Sequence, residues 1–170
     1  HEYNGEGFAV RKGFYSKMRL ELLKNHAIKG NLAYLPSRWD DRNSRGNGTY
    51  KIMDRYKWGL SFQSNKSRKL SHENSATYEE EQIEGDSRGL EYEINWQPIP
   101  NFSTELSLGY KKRTGWLLHE AERNLTTFNA ETWEPKLEFV YVPSPKQQFR
   151  ASAQWVGIKA LENNRWKAPI

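Results

Sequence analysis

Between residues 89 and 112 hydrophobic and polar positions alternate strictly. Leu90, Tyr92, Ile94 and Trp96 fall on one side of an extended chain, and Glu91, Glu93 and Asn95 on the other. After residues 97–101 the pattern resumes: Phe102, Thr104, Leu106, Leu108 and Tyr110 take the apolar side, and Ser103, Glu105, Ser107, Gly109 and Lys111 the polar side. Pro98 and Pro100 cannot donate ladder hydrogen bonds, so the chain is expected to leave the sheet between Trp96 and Phe102. The segment reads as one β-hairpin.

The same period recurs along the chain. Within 8–23, Met18, Leu20 and Leu22 alternate with Lys17, Arg19 and Glu21; a second apolar stretch follows around Ile28, Leu32, Tyr34 and Leu35. Residues 36–48 have no periodicity and are dense in turn formers, which predicts an exposed loop. A strand returns from Tyr50, with Tyr56, Trp58, Leu60 and Phe62 opposite Lys57, Gly59, Ser61 and Gln63, and turns at 65–68. The polar run 69–84 lacks an apolar face at helical spacing and reads as a long strand projecting into solvent. The chain then continues past Trp116, loops over 120–124, and returns through Phe128 and Trp133 to Tyr141, where Pro135 predicts a bulge or an edge. A proline-marked turn at 142–146 leads to a last strand with Phe149, Ala151, Ala153 and Trp155 on one side, followed by a polar tail.

This describes an all-β, antiparallel up-and-down meander of about eight strands. Short connections lie near Lys24, Lys66, Pro98 and Pro143, and longer or more polar ones near Trp39, Gly85 and Glu122. Short turns on one rim and long loops on the other match the asymmetry of outer-membrane barrels, so a transmembrane β-barrel, or part of a larger one, is the expected fold. The span from Phe102 to Val142 is long enough for two bilayer crossings of about 10 residues each, with the remainder standing above the membrane.

Composition narrows the alternatives. The 170 residues suit one domain. Only 36% are hydrophobic and 14% are aromatic, so the apolar content rests on Trp, Tyr and Phe, which favours sheet. With no cysteine, there is no disulfide framework, thiolate metal site or catalytic thiol. The longest apolar runs, such as 139–142, fall far below the roughly 20 residues of a membrane-spanning helix, whereas alternating barrel strands give a much weaker signal. The net charge of +5 comes from Lys and Arg scattered among Glu and Asp, without a basic block or an RNP-like aromatic motif, so nucleic acid is not an expected partner.

The most concentrated polar constellation is Trp39-Asp40-Asp41-Arg42, with Arg45 nearby. Adjacent carboxylates in a glycine-rich loop suit oxygen ligation of a divalent cation, or with Trp39 the grip of a glycan. Without a D-x-D-x-D-G spacing, a loop pinned by Asp–Arg pairs is the plainer reading. Of the acidic run, only Glu79 and Glu81 share a strand face as a carboxylate pair for glycoside hydrolysis, and a solvated loop flank is favoured. His1, His26, His72 and His119 lack metal-ligand spacing, and no nucleophile elbow, phosphate loop or dinucleotide fingerprint occurs. No catalytic residue, metal or cofactor is therefore assigned, and the chain is expected not to be an enzyme. Trp96, Phe102, Tyr110, Phe139, Tyr141, Phe149 and Trp155 read as a lipid-facing band and its girdle; in a soluble lectin-like module they would form a sugar-stacking platform.

Four stretches also carry a likeness: W-D-D-R-N-S-R-G-N-G at 39–48, G-L-S-F-Q-S-N-K-S-R-K at 59–69, the W-Q-P-I-P-N turn, and P-S-P-K-Q-Q-F-R-A-S-A-Q-W at 143–155. In order and spacing they resemble the bacterial outer-membrane β-barrel domain of unknown function that follows a family-9-like carbohydrate-binding module. The resemblance implies an outer-membrane location, with the lipid bilayer as partner, and a larger parent protein of which residues 1–170 are a C-terminal barrel fragment. It implies no reaction. The expected function is non-enzymatic: membrane anchoring or transport associated with the carbohydrate-binding module. The alternative is a soluble antiparallel β-sandwich or lipocalin-like module that binds a glycan or small ligand.

Overall fold

The computed structural model describes residues 2–3, 9–40 and 49–168, with side chains from Lys12 onward. Two short strands, β1 (Glu2–Tyr3) and β2 (Ala9–Arg11), pair with each other at the start of the chain. The main sheet follows: β3 (Phe14–Leu22), β4 (His26–Leu35), β7 (Arg55–Gln63), β8 (Leu70–Glu80), β9 (Asp86–Ile99), β10 (Phe102–Ala121), β11 (Asn124–Ser144), β12 (Gln147–Gln154) and β13 (Gly157–Lys167). A separate ribbon, β5 (Arg38–Asp40) with β6 (Tyr50–Ile52), occupies the connection from β4 to β7. All neighbouring strands of the main sheet run antiparallel, in the order β3-β4-β7-β8-β9-β10-β11-β12, with β13 also on β11. Among the described residues no ladder joins β3 to β12 or β13.

The expected hairpin is the middle of this sheet. Ile94 lies opposite Leu106, Tyr92 opposite Leu108 and Leu90 opposite Tyr110. The chain leaves the sheet between Trp96 and Phe102 as expected, at its far end: β9 runs on to Ile99, which pairs with Phe102 across a turn at 100–101. A register shift after Phe102 lets the prolines sit inside an irregular strand end, and the Gln97 amide donates to the Lys69 carbonyl at 2.6 Å.

Several other expectations need correcting. The strand expected from residue 8 is two strands, β2 and β3. Within the loop expected at 36–48, Trp39 and Asp40 instead sit in β5, opposite Lys51 and Tyr50, and Asp40 is buried; residues 41–48 lie outside the described residues. The strand expected from Tyr50 is broken at 53–54, between β6 and β7. Residues 120–124 form no loop: β10 and β11 continue to a tight turn in which Glu122 takes φ 50°. The expected polar tail is β13, whose Ile158, Ala160 and Leu161 lie opposite Thr132, Ala130 and Asn129 of β11. Its period breaks near Asn163 and Asn164, where a register shift opposite Thr127 hides the alternation.

Pro135 stands within β11 opposite Leu108, facing the break between β12 and β13. Its carbonyl accepts the Trp155 amide at 3.0 Å, so the edge strand bends where the proline has no N–H to offer.

Connections alternate between two rims as expected. Leu23–Asn25, 64–69, 100–101 and 145–146 lie at one end. The β5–β6 ribbon, the 81–85 loop and the tip of the long β10–β11 hairpin lie at the other. The buried apolar cluster of Tyr50, Ile52, Leu117, Leu125 and Ala168, with Ile83 packed on it, sits at this second end.

Candidate functional site

Strand register sorts side chains into rows that cross the sheet. Met18, Gly30, Leu60, Ala76, Leu90, Tyr110 and Trp133 form one row, and Leu20, Ile28, Phe62, Asn74, Tyr92, Leu108 and Pro135 the next. One residue along, Arg19, Lys29, Ser61, Ser75, Glu91, Gly109 and Glu134 form a row on the opposite face. The apolar face is open: Leu60 is 52% exposed, Leu90 61%, Leu108 47% and Trp133 54%. Leu106 and Phe139 are likewise exposed, so the aliphatic side of the central hairpin does not meet in a dry middle.

Aromatic rings border this face at both ends. Toward the long connections, Tyr34 meets Tyr56 at 5.0 Å between centroids, Trp58 meets Tyr78 at 6.0 Å and Tyr110 meets Trp133 at 4.4 Å. Toward the short turns a ladder runs His26, Phe62, His72 and Tyr92 at 5.8, 5.7 and 6.4 Å, and Trp96 meets Phe102 edge-on at 6.3 Å. From Tyr110 back to Phe102 the strand spans on the order of 27 Å. At a barrel-like tilt that is roughly 20 Å of height, close to an apolar band of about 25 Å.

Trp96, Phe139, Tyr141, Phe149 and Trp155 are exposed, while Phe102 and Tyr110 are half-buried against their ring partners. His26 and His72 belong to the same ladder rather than to a polar site, and the described residues contain no cluster that could hold a metal ion.

The opposite face forms a groove of about 400 Å³ across β8 to β12, with Glu91, Glu93, Glu105, Glu134 and Lys136 on its walls and Lys111 toward one end. Cross-strand ion pairs lace this face: Lys29 to Glu73 at 3.0 Å, Lys136 to Glu105 at 3.6 Å and Arg150 to Glu138 at 3.1 Å. At the long-connection end the row changes sign. Lys57, Glu79, Ser87 and Arg113 lie opposite one another on β7, β8, β9 and β10, with Arg55 two residues from Lys57 and Lys111 two from Arg113. Arg55 is 6% exposed, and its Nη1 reaches Glu79 Oε1 only at 3.5 Å, while Lys57 pairs with the same oxygen. Burial pushes the Glu81 carboxyl up, against the pull of Arg113.

No protein family, curated protein or solved structure matches the chain. Function is therefore argued from the two faces.

Of the sequence candidates in 39–48, Trp39 and Asp40 lie in β5, whereas Asp41, Arg42 and Arg45 fall outside the described residues. Glu79 and Glu81 do not form a free carboxylate pair, because Glu79 is engaged by Lys57 and Arg55. Sequence reading missed the basic cluster of Arg55, Lys57, Lys111 and Arg113. The available signal was a pair of cations two residues apart on the polar side of two different strands, which only the register brings together.

Proposed function

We propose that this chain is a wall segment of a bacterial outer-membrane β-barrel, non-enzymatic, serving membrane anchoring or transport. The observation that carries this reading is the open apolar face. Rows rich in Leu, Trp, Tyr and Phe cross seven antiparallel strands with the large apolar side chains about half exposed, while the other face is charged and laced with ion pairs. Soluble surfaces rarely present a contiguous apolar patch beyond a few hundred Å². Hydrocarbon accommodates such a face, and the aromatic pairs at its two ends sit where headgroups would meet Trp and Tyr. The polar groove then lines an aqueous interior. Because a bilayer tolerates no unpaired sheet edge, β3 and the β12–β13 edge would both be joined in the assembled barrel. Association with a carbohydrate-binding module follows from the motif resemblance alone.

The test is extraction of the expressed chain from membranes. Retention in the pellet through alkaline carbonate, with release by detergent, is expected. Release by carbonate into a monodisperse detergent-free solution would overturn the reading and favour a soluble sandwich or lipocalin-like module that binds a glycan or small ligand.

A further inference from the structure

We propose that the long-connection mouth of the polar groove binds a solute carrying an oxyanion, a carboxylate or sulfate, through Arg55 and Arg113 with Lys57 and Lys111 beside them. This goes beyond the membrane reading and does not require it.

Three observations converge. The cations are gathered by register onto one face, Arg55 and Lys57 on β7 and Lys111 and Arg113 on β10 with β8 and β9 between them, although they are scattered along the chain. Their donors are also underused: among the described residues the buried Nε atoms of Arg38, Arg55 and Arg113 have no hydrogen-bond partner. A buried guanidinium donor without an acceptor carries its full desolvation cost, and an oxyanion removes that cost while accepting charge-assisted bonds. Finally, there is room beside them: of the positions between the cations on β8 and β9, which are Glu79, Thr77, Ser87 and Gly89, glycine has no side chain and Thr77 and Ser87 have small ones, and the groove reaches Thr77, Gly89 and Lys111.

The nearby carboxylates compensate this charge only partly. Glu79 is held by Lys57, and Glu81 and Asp40 also lie within electrostatic reach, so Arg38, Arg55, Lys57, Lys111 and Arg113 outnumber these carboxylates by five to three. Farther along the groove Glu91, Glu93, Glu105 and Glu134 repel an anion, which confines the site to the mouth.

The experiment uses the full chain in mild detergent, titrated with sodium sulfate and with citrate at constant ionic strength set by chloride, and read by isothermal titration calorimetry. Arg113 lies 4.8 Å from the centroid of the Trp116 ring, so tryptophan emission gives a second readout on the unaltered protein. Saturable binding is expected, weakened about tenfold or more by Arg113→Gln and by Lys111→Gln, as loss of a charge-assisted bond requires. Lys159→Gln, on exposed β13, should leave it unchanged. Arg55→Gln should weaken it further, and if that variant does not fold the two others still decide. Responses that only track ionic strength, or equal affinity in Arg113→Gln and Lys111→Gln, would overturn the site. Membrane retention is measured separately, so failure here leaves the barrel reading standing and the converse also holds.

Discussion

Gly85 and Gly115 are locked against each other's strands. Gly85, in the β8–β9 loop, has φ 83°, and a Cβ there would collide with the Thr114 carbonyl; Gly115, in the β10 bulge, has φ 77°, and its Cβ would collide with the Glu84 carbonyl. Two left-handed residues, each filling the space the other's neighbour leaves, let the loop lie flat on the base of the long hairpin. Both the positive φ and the backbone contact exclude a side chain.

Gly115→Ala should therefore destabilise the fold by about 1–3 kcal/mol, combining left-handed strain with displacement of the loop. The check is urea unfolding in detergent, with Gly109→Ala as comparison, since a Cβ at 109 meets only ordinary contacts at 3.4 Å. Equal stability of the two variants would show that the loop and bulge do not hold each other.

Glu84 ties β13 to the same place. Its Oε1 accepts from the Asn164 amide at 2.7 Å, the Asn163 amide at 3.2 Å and the Thr127 hydroxyl at 3.3 Å, and Thr127 is fully buried. Glu84→Ala removes the shared acceptor and should cost about 1–3 kcal/mol, felt mainly in β13. Hydrogen exchange should show faster exchange over Gly157–Lys167 with the central strands unchanged. Unchanged protection of β13 would mean the ladder to β11 suffices.

The central strands were legible because their period is two and uninterrupted: Leu90 to Trp96 and Phe102 to Tyr110 announce both pairing and face. Where a bulge breaks the period the pattern failed, as at Asn163 and Asn164, where β13 reads as a tail although β11 holds it. β5 was missed for another reason. Arg38, Trp39 and Asp40 have no alternation of their own, and their order depends on pairing with Tyr50 to Ile52, across a connection that sequence marks only as turn-rich. The basic cluster at the groove mouth was illegible in a third way, since register between strands far apart in sequence, and no local spacing, brings Lys57 and Arg113 into one row.

A pH dependence follows from Glu81. Burial raises its carboxyl, so ionising it in the folded state costs stability. That cost is absent below the ordinary glutamate value of 4.5, builds as pH rises, and is complete above the raised folded value. Glu81→Gln should therefore raise the melting temperature at pH 7 and leave it nearly unchanged at pH 4. A gain at both pH values, or at neither, would show that the carboxylate is not the strained group.

The two faces make opposite predictions for neighbouring residues. Leu106 is 38% exposed on the apolar face and Ser107 half-buried on the polar one, adjacent in sequence and opposite in direction. If the apolar face meets lipid, Leu106→Arg places a guanidinium near the midplane and should cost about 2–4 kcal/mol, whereas Ser107→Arg, directed into a wet groove with Glu93 opposite, should be tolerated better. Unfolding of both variants in lipid vesicles measures the difference directly. Equal costs would count against a lipid-facing Leu106, because in hydrocarbon only one of the two arginines has water and a carboxylate within reach.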